Sequence, residues 1–137
     1  MAGGASVQTL RSFLRDERAA AIRYRRALPL FGESAETDEL KACLASHERR
    51  IDTLEGRIRQ MGADPDAEIE DEEEDEDEDG DQVIGRLEES EDRALKHYLD
   101  DVCKLDVDTR RLIAREVLPE QVRTYDSLAD LRLLHLD

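Results

Sequence analysis

The feature that most limits how this chain can fold is an interruption in its charge. Between Met61 and Gly85 stand fourteen acidic side chains (Asp64, Asp66, Glu68, the unbroken run Glu70 to Asp79, and Asp81) and no basic one. Self-repulsion keeps such a stretch extended and solvated, so it links structured parts rather than entering a core. It therefore divides the 137 residues into two halves that have to build the core between them. The whole chain carries 36 acids against 20 bases, a formal charge of -16, yet outside this stretch 22 acids face 20 bases. The foldable part is nearly neutral.

Each half contains two segments with apolar residues at alternating three- and four-residue spacing, the mark of one buried helix face. In the first they are Val7, Leu10, Leu14, Ala21, Tyr24 and Leu28, with Ser6 as the expected N-cap and Pro29 ending the pattern. In the second they are Leu40, Leu44, Ile51, Leu54, Ile58 and Met61, starting near Thr37 and Asp38 and closing at Gly62. The third runs from about Gln82 to Leu105 on Ile84, Leu87, Ala94, Leu95, Tyr98 and Val102. The fourth begins after Asp106 or Asp108, uses Ile113, Val117, Leu128 and Leu131, and contains Pro119, which should kink or divide it.

With no tryptophan, five aromatics and 39% hydrophobic residues, the composition also suits a single helical domain over residues 1–137. Cys43 and Cys103 form no CxxC pair, so reduced thiols and a cytoplasmic protein are expected. The first residues lack the basic and apolar regions of a secretory signal. No apolar run approaches the roughly 18 residues of a membrane span, so no membrane partner is expected. No basic face is broad enough to make nucleic acid a natural ligand, and the acidic insert repels it.

The turns near Phe31 to Glu36 and near Asp106 are short and should join antiparallel neighbours. Helices of about 23 residues are roughly 35 Å long, a distance that an extended linker over 63–81 can span. Two antiparallel hairpins joined by one long acidic crossover is the ferritin-like arrangement of an all-α four-helix bundle.

Several segments carry a family resemblance: LRDERAAAIRYRRAL on the first helix, HERRIDTLEGRIRQMG on the second, ESEDRALKHY on the third and LPEQVRTYDSL on the fourth. From about Leu10 to Leu131, crossover excluded, the chain resembles the ferritin-like four-helix-bundle family of unknown function that includes bacterial stress-associated proteins. The wider superfamily implies a di-metal carboxylate centre, with a Glu from each of two helices and a Glu-x-x-His from each of the others. Glu17 and Glu91 match the single-Glu role. His47, however, is preceded three positions earlier by Leu44, Glu116 is followed three later by Pro119, and Glu120 by Arg123. Tyr125 stands where relatives tend to carry a His. The chain has no Glu-x-x-His, so a complete di-iron site and its enzymology are not expected.

Independently of the resemblance, each seam is interrupted near its middle by a polar residue: Glu17, His47, Glu91, and Glu120 or Gln121 on the fourth. Antiparallel pairing brings these to one level. Glu17, His47 and Glu91 are the metal candidates, since carboxylate and imidazole suit iron, zinc or manganese. Equally, such groups can pair with one another and fix helix register without any cofactor. Tyr24, Tyr98 and Tyr125 read as core tyrosines, Cys43 and Cys103 as small apolar side chains, and His97 and His135 as surface residues.

Asp75, Asp77, Asp79 and Gly80 reproduce the opening of an EF-hand loop, but its twelfth position is Arg86 instead of a bidentate Glu. The first helix, with Arg11, Arg15, Arg18, Arg23, Arg25 and Arg26, is basic enough to attract the acidic stretch. There is no Ser/His/Asp set legible in the sequence, no HExxH, no P-loop and no dinucleotide fingerprint. The expectation is a non-catalytic helical bundle serving as a stress-related or regulatory interaction protein, self-associating as a homodimer or binding an unknown protein partner. Two alternatives stand beside it: a degenerate ferritin-like metal or redox protein using the mid-bundle layer, and an acidic-loop module binding cations or a basic partner.

Overall fold

In the computed structural model, which describes residues 2–66 and 80–134, the described residues form helices and short turns, with no strand among them. Helix α1 spans Ala2–Ala27, α2 Ala35–Gln60, α3 Gly80–Asp101, α4 Val107–Leu112 and α5 Leu118–Leu134, with the last two joined in line through a π turn at Ile113–Val117. The result is four helical rods packed side by side. No described helix is long and apolar enough to cross a membrane.

The direction of each rod follows from its cross-contacts. Ser6 meets Asp106, Ser12 meets His97 and Arg23 meets Ser90, so α3 runs antiparallel to α1. Likewise Ser46 meets Glu120 and Arg57 meets Thr109, which sets the α4–α5 rod antiparallel to α2.

Local chemistry fixes the ends. The 3-10 turn Leu28–Leu30 carries Pro29, which ends α1 as its missing N–H requires. Helix α2 starts earlier than Thr37 and Asp38: Ser34 is its N-cap, its hydroxyl accepting from the Thr37 amide at 3.2 Å. At the other end Gly62 adopts φ 78°. Its amide donates to Arg59 O at 2.9 Å and that of Ala63 to Ile58 O at 3.1 Å, the paired bonds of a Schellman cap. Ser6 is not the N-cap of α1, because that helix already begins at Ala2. Its hydroxyl is fully buried instead and accepts from the Asp106 amide at 2.9 Å.

Pro119 divides the fourth rod as its ring chemistry demands. Its nitrogen has no proton for the Arg115 carbonyl, and the backbone widens just before it, the Leu118 amide reaching Ile113 O five residues back. Buried positions follow this change: Thr109, Ile113, Val117 and Gln121 are four apart, whereas Thr124, Leu128 and Leu131 return to alternating spacing.

The apolar interior forms two clusters. One contains Leu10, Phe13, Leu14, Leu54, Ile58, Tyr98, Leu105, Ile113 and Val117. The other contains Tyr24, Ala27, Leu40, Cys43, Ile84, Leu87, Leu128 and Leu131. Between them lies a polar layer.

The beginning of the acidic stretch rests on the basic face of α1. Arg11 donates through Nε and Nη2 to Asp64 O at 3.1 and 2.9 Å, and Arg18 Nη2 donates to Asp66 Oδ1 at 2.7 Å and Glu55 Oε2 at 2.6 Å. The run Glu70 to Asp79, with the EF-hand-like opening, lies outside the described residues, as does His135.

Candidate functional site: a buried charge layer

Glu17 on α1, His47 on α2 and Glu91 on α3 meet at the centre of the bundle, each no more than 2% exposed. They converge because each occupies an inward position of its helix at the same height, between the two apolar clusters. His47 Nδ1 lies 3.1 Å from Glu17 Oε1 and Nε2 lies 2.5 Å from Glu91 Oε1. Carboxylates at both nitrogens favour the charged imidazolium, the form of His47 that can donate from both. Burial alone disfavours that charge, but the Glu17 carboxylate and the hydrogen bonds to Glu17 and Glu91 outweigh it, and the His47 pKa is raised above 6.5. Glu91 shifts the opposite way. Burial pushes its carboxyl up, while the hydrogen bond and charge of His47, then Arg50 and Thr124, bring it below 4.5.

A fourth charge completes the layer. Arg50, one turn after His47 on α2, is 1% exposed. Its Nε lies 2.9 Å from Glu17 Oε2, Nη1 donates to Gln121 Oε1 at 2.5 Å and Nη2 donates to Thr124 Oγ1 at 3.1 Å. Gln121 Nε2 in turn donates to Glu91 Oε2 at 3.0 Å, Thr124 Oγ1 to the same oxygen at 2.7 Å, and Tyr24 OH to Glu91 Oε1 at 3.0 Å. Two carboxylates, one imidazolium and one guanidinium sum to zero. A buried layer of this kind avoids the several kcal/mol per ion that an unpaired charge would cost.

The structure thus brings together Glu17, His47, Glu91 and Gln121 but not Glu120. Glu120 turns to the α2 flank, where it accepts from Ser46 and lies 3.1 Å from Arg49 and 3.2 Å from Arg123. Arg50 and Thr124 belong to the layer although the apolar spacing did not select them. Their positions carry the signal: 43, 47, 50, 54 and 58 continue one inward face of α2, as 121, 124, 128 and 131 do on α5.

The donor set can be compared with the di-metal centre implied by the resemblance. There the metal-binding nitrogen of each His is free for the ion while the other is held by an outer partner. Here both His47 nitrogens face carboxylates, and a fixed guanidinium sits against Glu17. Among the described residues no group of three or more His, Cys, Asp or Glu side chains is set to hold a metal ion. The residues do not fit a centre of that kind.

Tyr98 and Cys43 are also buried, while Cys103 is exposed. Burial pushes the Cys43 thiol up to about 12, and the Glu91 charge adds to it, so this sulfur stays protonated.

A second polar cluster lies nearer the surface between α1 and α3. Contrary to the sequence expectation, a serine, a histidine and an aspartate do line up: Ser12 Oγ is 3.3 Å from His97 Nε2 and His97 Nδ1 is 2.5 Å from Asp16 Oδ2. The same Nε2 also faces Asp101 Oδ2 at 3.2 Å, and the Ser12 hydroxyl donates to Thr9 O at 2.7 Å. The serine proton is held by its own helix and the imidazole is shared between two carboxylates. The cluster ties α1 to α3, with Phe13 edge-on to the ring at 4.9 Å.

In comparisons with known proteins, no family model, no curated protein and no solved structure matches this chain.

Proposed function

We propose that this chain is a ferritin-like four-helix bundle that has exchanged metal chemistry for a built-in cation, Arg50, and works as a non-catalytic scaffold presenting its charged outer faces to a protein partner. The observation that carries this reading is the self-completion of the central layer. Glu17 and Glu91 are neutralised by Arg50 and His47, and the second oxygen of Glu91 is filled by Gln121 and Thr124. A layer balanced in this way fixes helix register, the best-attested use of buried ionic groups. The antiparallel pairing of α3 with α1 supports the two-hairpin topology with a long acidic crossover, because it puts the end of α2 and the start of α3 at opposite ends of the bundle. A stress-related or regulatory role as a cytoplasmic homodimer or hetero-complex belongs to the same reading.

Metal analysis tests the exchange. Protein purified without a nickel column should carry iron, zinc and manganese well below one per chain, at a level unchanged in the Glu17→Ala, His47→Ala double variant. One equivalent of a transition metal that the double variant loses would overturn the reading in favour of a metal or redox protein.

A further inference from the structure

Among the described residues, three buried side-chain atoms have no hydrogen bond within the protein: Glu17 Oε2, Arg50 Nε and Tyr98 OH. The first two face one another at 2.9 Å as an ion pair without the angle of a hydrogen bond, so the directional capacity of each is unused. Tyr98 has no such charge contact. Its ring packs on Phe13 at 4.5 Å, and Phe13 precedes Glu17 by one turn on the inner side of α1. Burial, and after it the Glu17 carboxylate, hold the phenol protonated against the opposing charge of Arg50. Phe13, one helical turn from Glu17, thus sets the Tyr98 ring beside the layer that holds the other two atoms.

A hydroxyl taken out of water without a partner costs about 1–3 kcal/mol. Buried polar groups with no protein partner are normally met by an ordered water, which needs two to four such neighbours. We infer that the bundle binds one internal water molecule bridging the Tyr98 hydroxyl and Glu17 Oε2, with Arg50 Nε as its third neighbour. The chemistry of the site selects water over an ion: a cation meets the Arg50 guanidinium and an anion meets the Glu17 carboxylate, whereas water donates to the carboxylate and accepts from the phenol. Through it Tyr98 joins the chain Glu17, His47, Glu91 and Tyr24, and the two buried tyrosines cap opposite ends of one hydrogen-bonded path.

Oxygen-17 relaxation dispersion of the full chain counts long-lived internal waters and tests the site directly. The wild type should show one more such water than Tyr98→Phe, which keeps the ring against Phe13 and removes the hydroxyl. Equal counts in the two proteins overturn the inference. Should Tyr98→Phe not fold, a wild-type crystal structure at about 1.5 Å decides: density within hydrogen-bonding distance of both Tyr98 OH and Glu17 Oε2 supports the site, and its absence there overturns it.

Discussion

Arg50 is the group on which the layer's neutrality turns, so Arg50→Met offers the sharpest perturbation. With Arg50 present, two negative and two positive charges cancel; without it the layer holds a net charge of one negative unit at the bundle centre, and Gln121 Oε1 loses its donor. Removing one partner of a buried ion pair costs about 3–5 kcal/mol, and an orphaned buried acceptor about 1–3 kcal/mol. Against a total stability of about 5–15 kcal/mol for a domain, the variant should be marginal. Glu17→Gln alone leaves the opposite imbalance and should cost about 3–5 kcal/mol. Combined, the two substitutions restore neutrality through Glu91 and His47, and the side-chain amide introduced by Glu17→Gln still offers an oxygen to His47 Nδ1. The double variant should therefore lose less than Arg50→Met does by itself, with a coupling of at least about 2 kcal/mol. Urea unfolding of the four proteins near pH 6, followed by helical circular dichroism, measures the cycle. Losses that simply add would show that the charges act independently and would refute the balanced layer.

Two further outcomes follow from the same site. Because the folded His47 pKa is raised above 6.5, its contribution to stability is complete below that value and is lost as pH rises through the folded pKa; Glu91, held below 4.5, contributes above that value and is lost as pH falls through its own. Wild-type unfolding free energy should thus decline on the alkaline side, and His47→Gln should flatten that limb; an unchanged slope would remove His47 as its cause. Iodoacetamide at neutral pH should label one cysteine per native chain, the exposed Cys103, and two after unfolding, because Cys43 is buried with its thiol pushed up to about 12. Mass spectrometry showing rapid native labelling of Cys43 would contradict this burial.

The helices were legible in the sequence because apolar spacing and end signals such as Pro29 and Gly62 are local properties, carried by neighbours within a turn or two. Glu17, His47 and Glu91 were legible for the same reason, as polar residues standing in otherwise apolar seams. Arg50 was not, since an arginine beside Arg49 on a charged helix reads as surface; only its Glu17, Gln121 and Thr124 partners, on other helices, make its burial affordable. Ser6 shows the same limit. A serine near a helix start suggests a cap, yet its hydroxyl serves the Asp106 amide across the bundle, a contact with no trace in adjacent residues. The Ser12, Asp16 and His97 cluster likewise depends on the pairing of α1 with α3, which the crossover length permits but does not dictate.

The π turn before Pro119 carries a consequence for how this rod tolerates changes in length. A π turn holds one more residue than the α-helical turn it replaces, so it is equivalent to a single insertion absorbed without disturbing what lies on either side. Elsewhere in the bundle, dropping one residue would swing every later side chain by about 100° around the helix, and a deletion between His47 and Arg50 would pull the two cations of the layer apart. Within Ile113–Val117 the opposite holds: removing exposed Ala114 together with Pro119→Ala lets the segment close into regular α-helix while Gln121 and Thr124 keep their aim. In this rod the place most forgiving of a missing residue is a helix interior, rather than a loop.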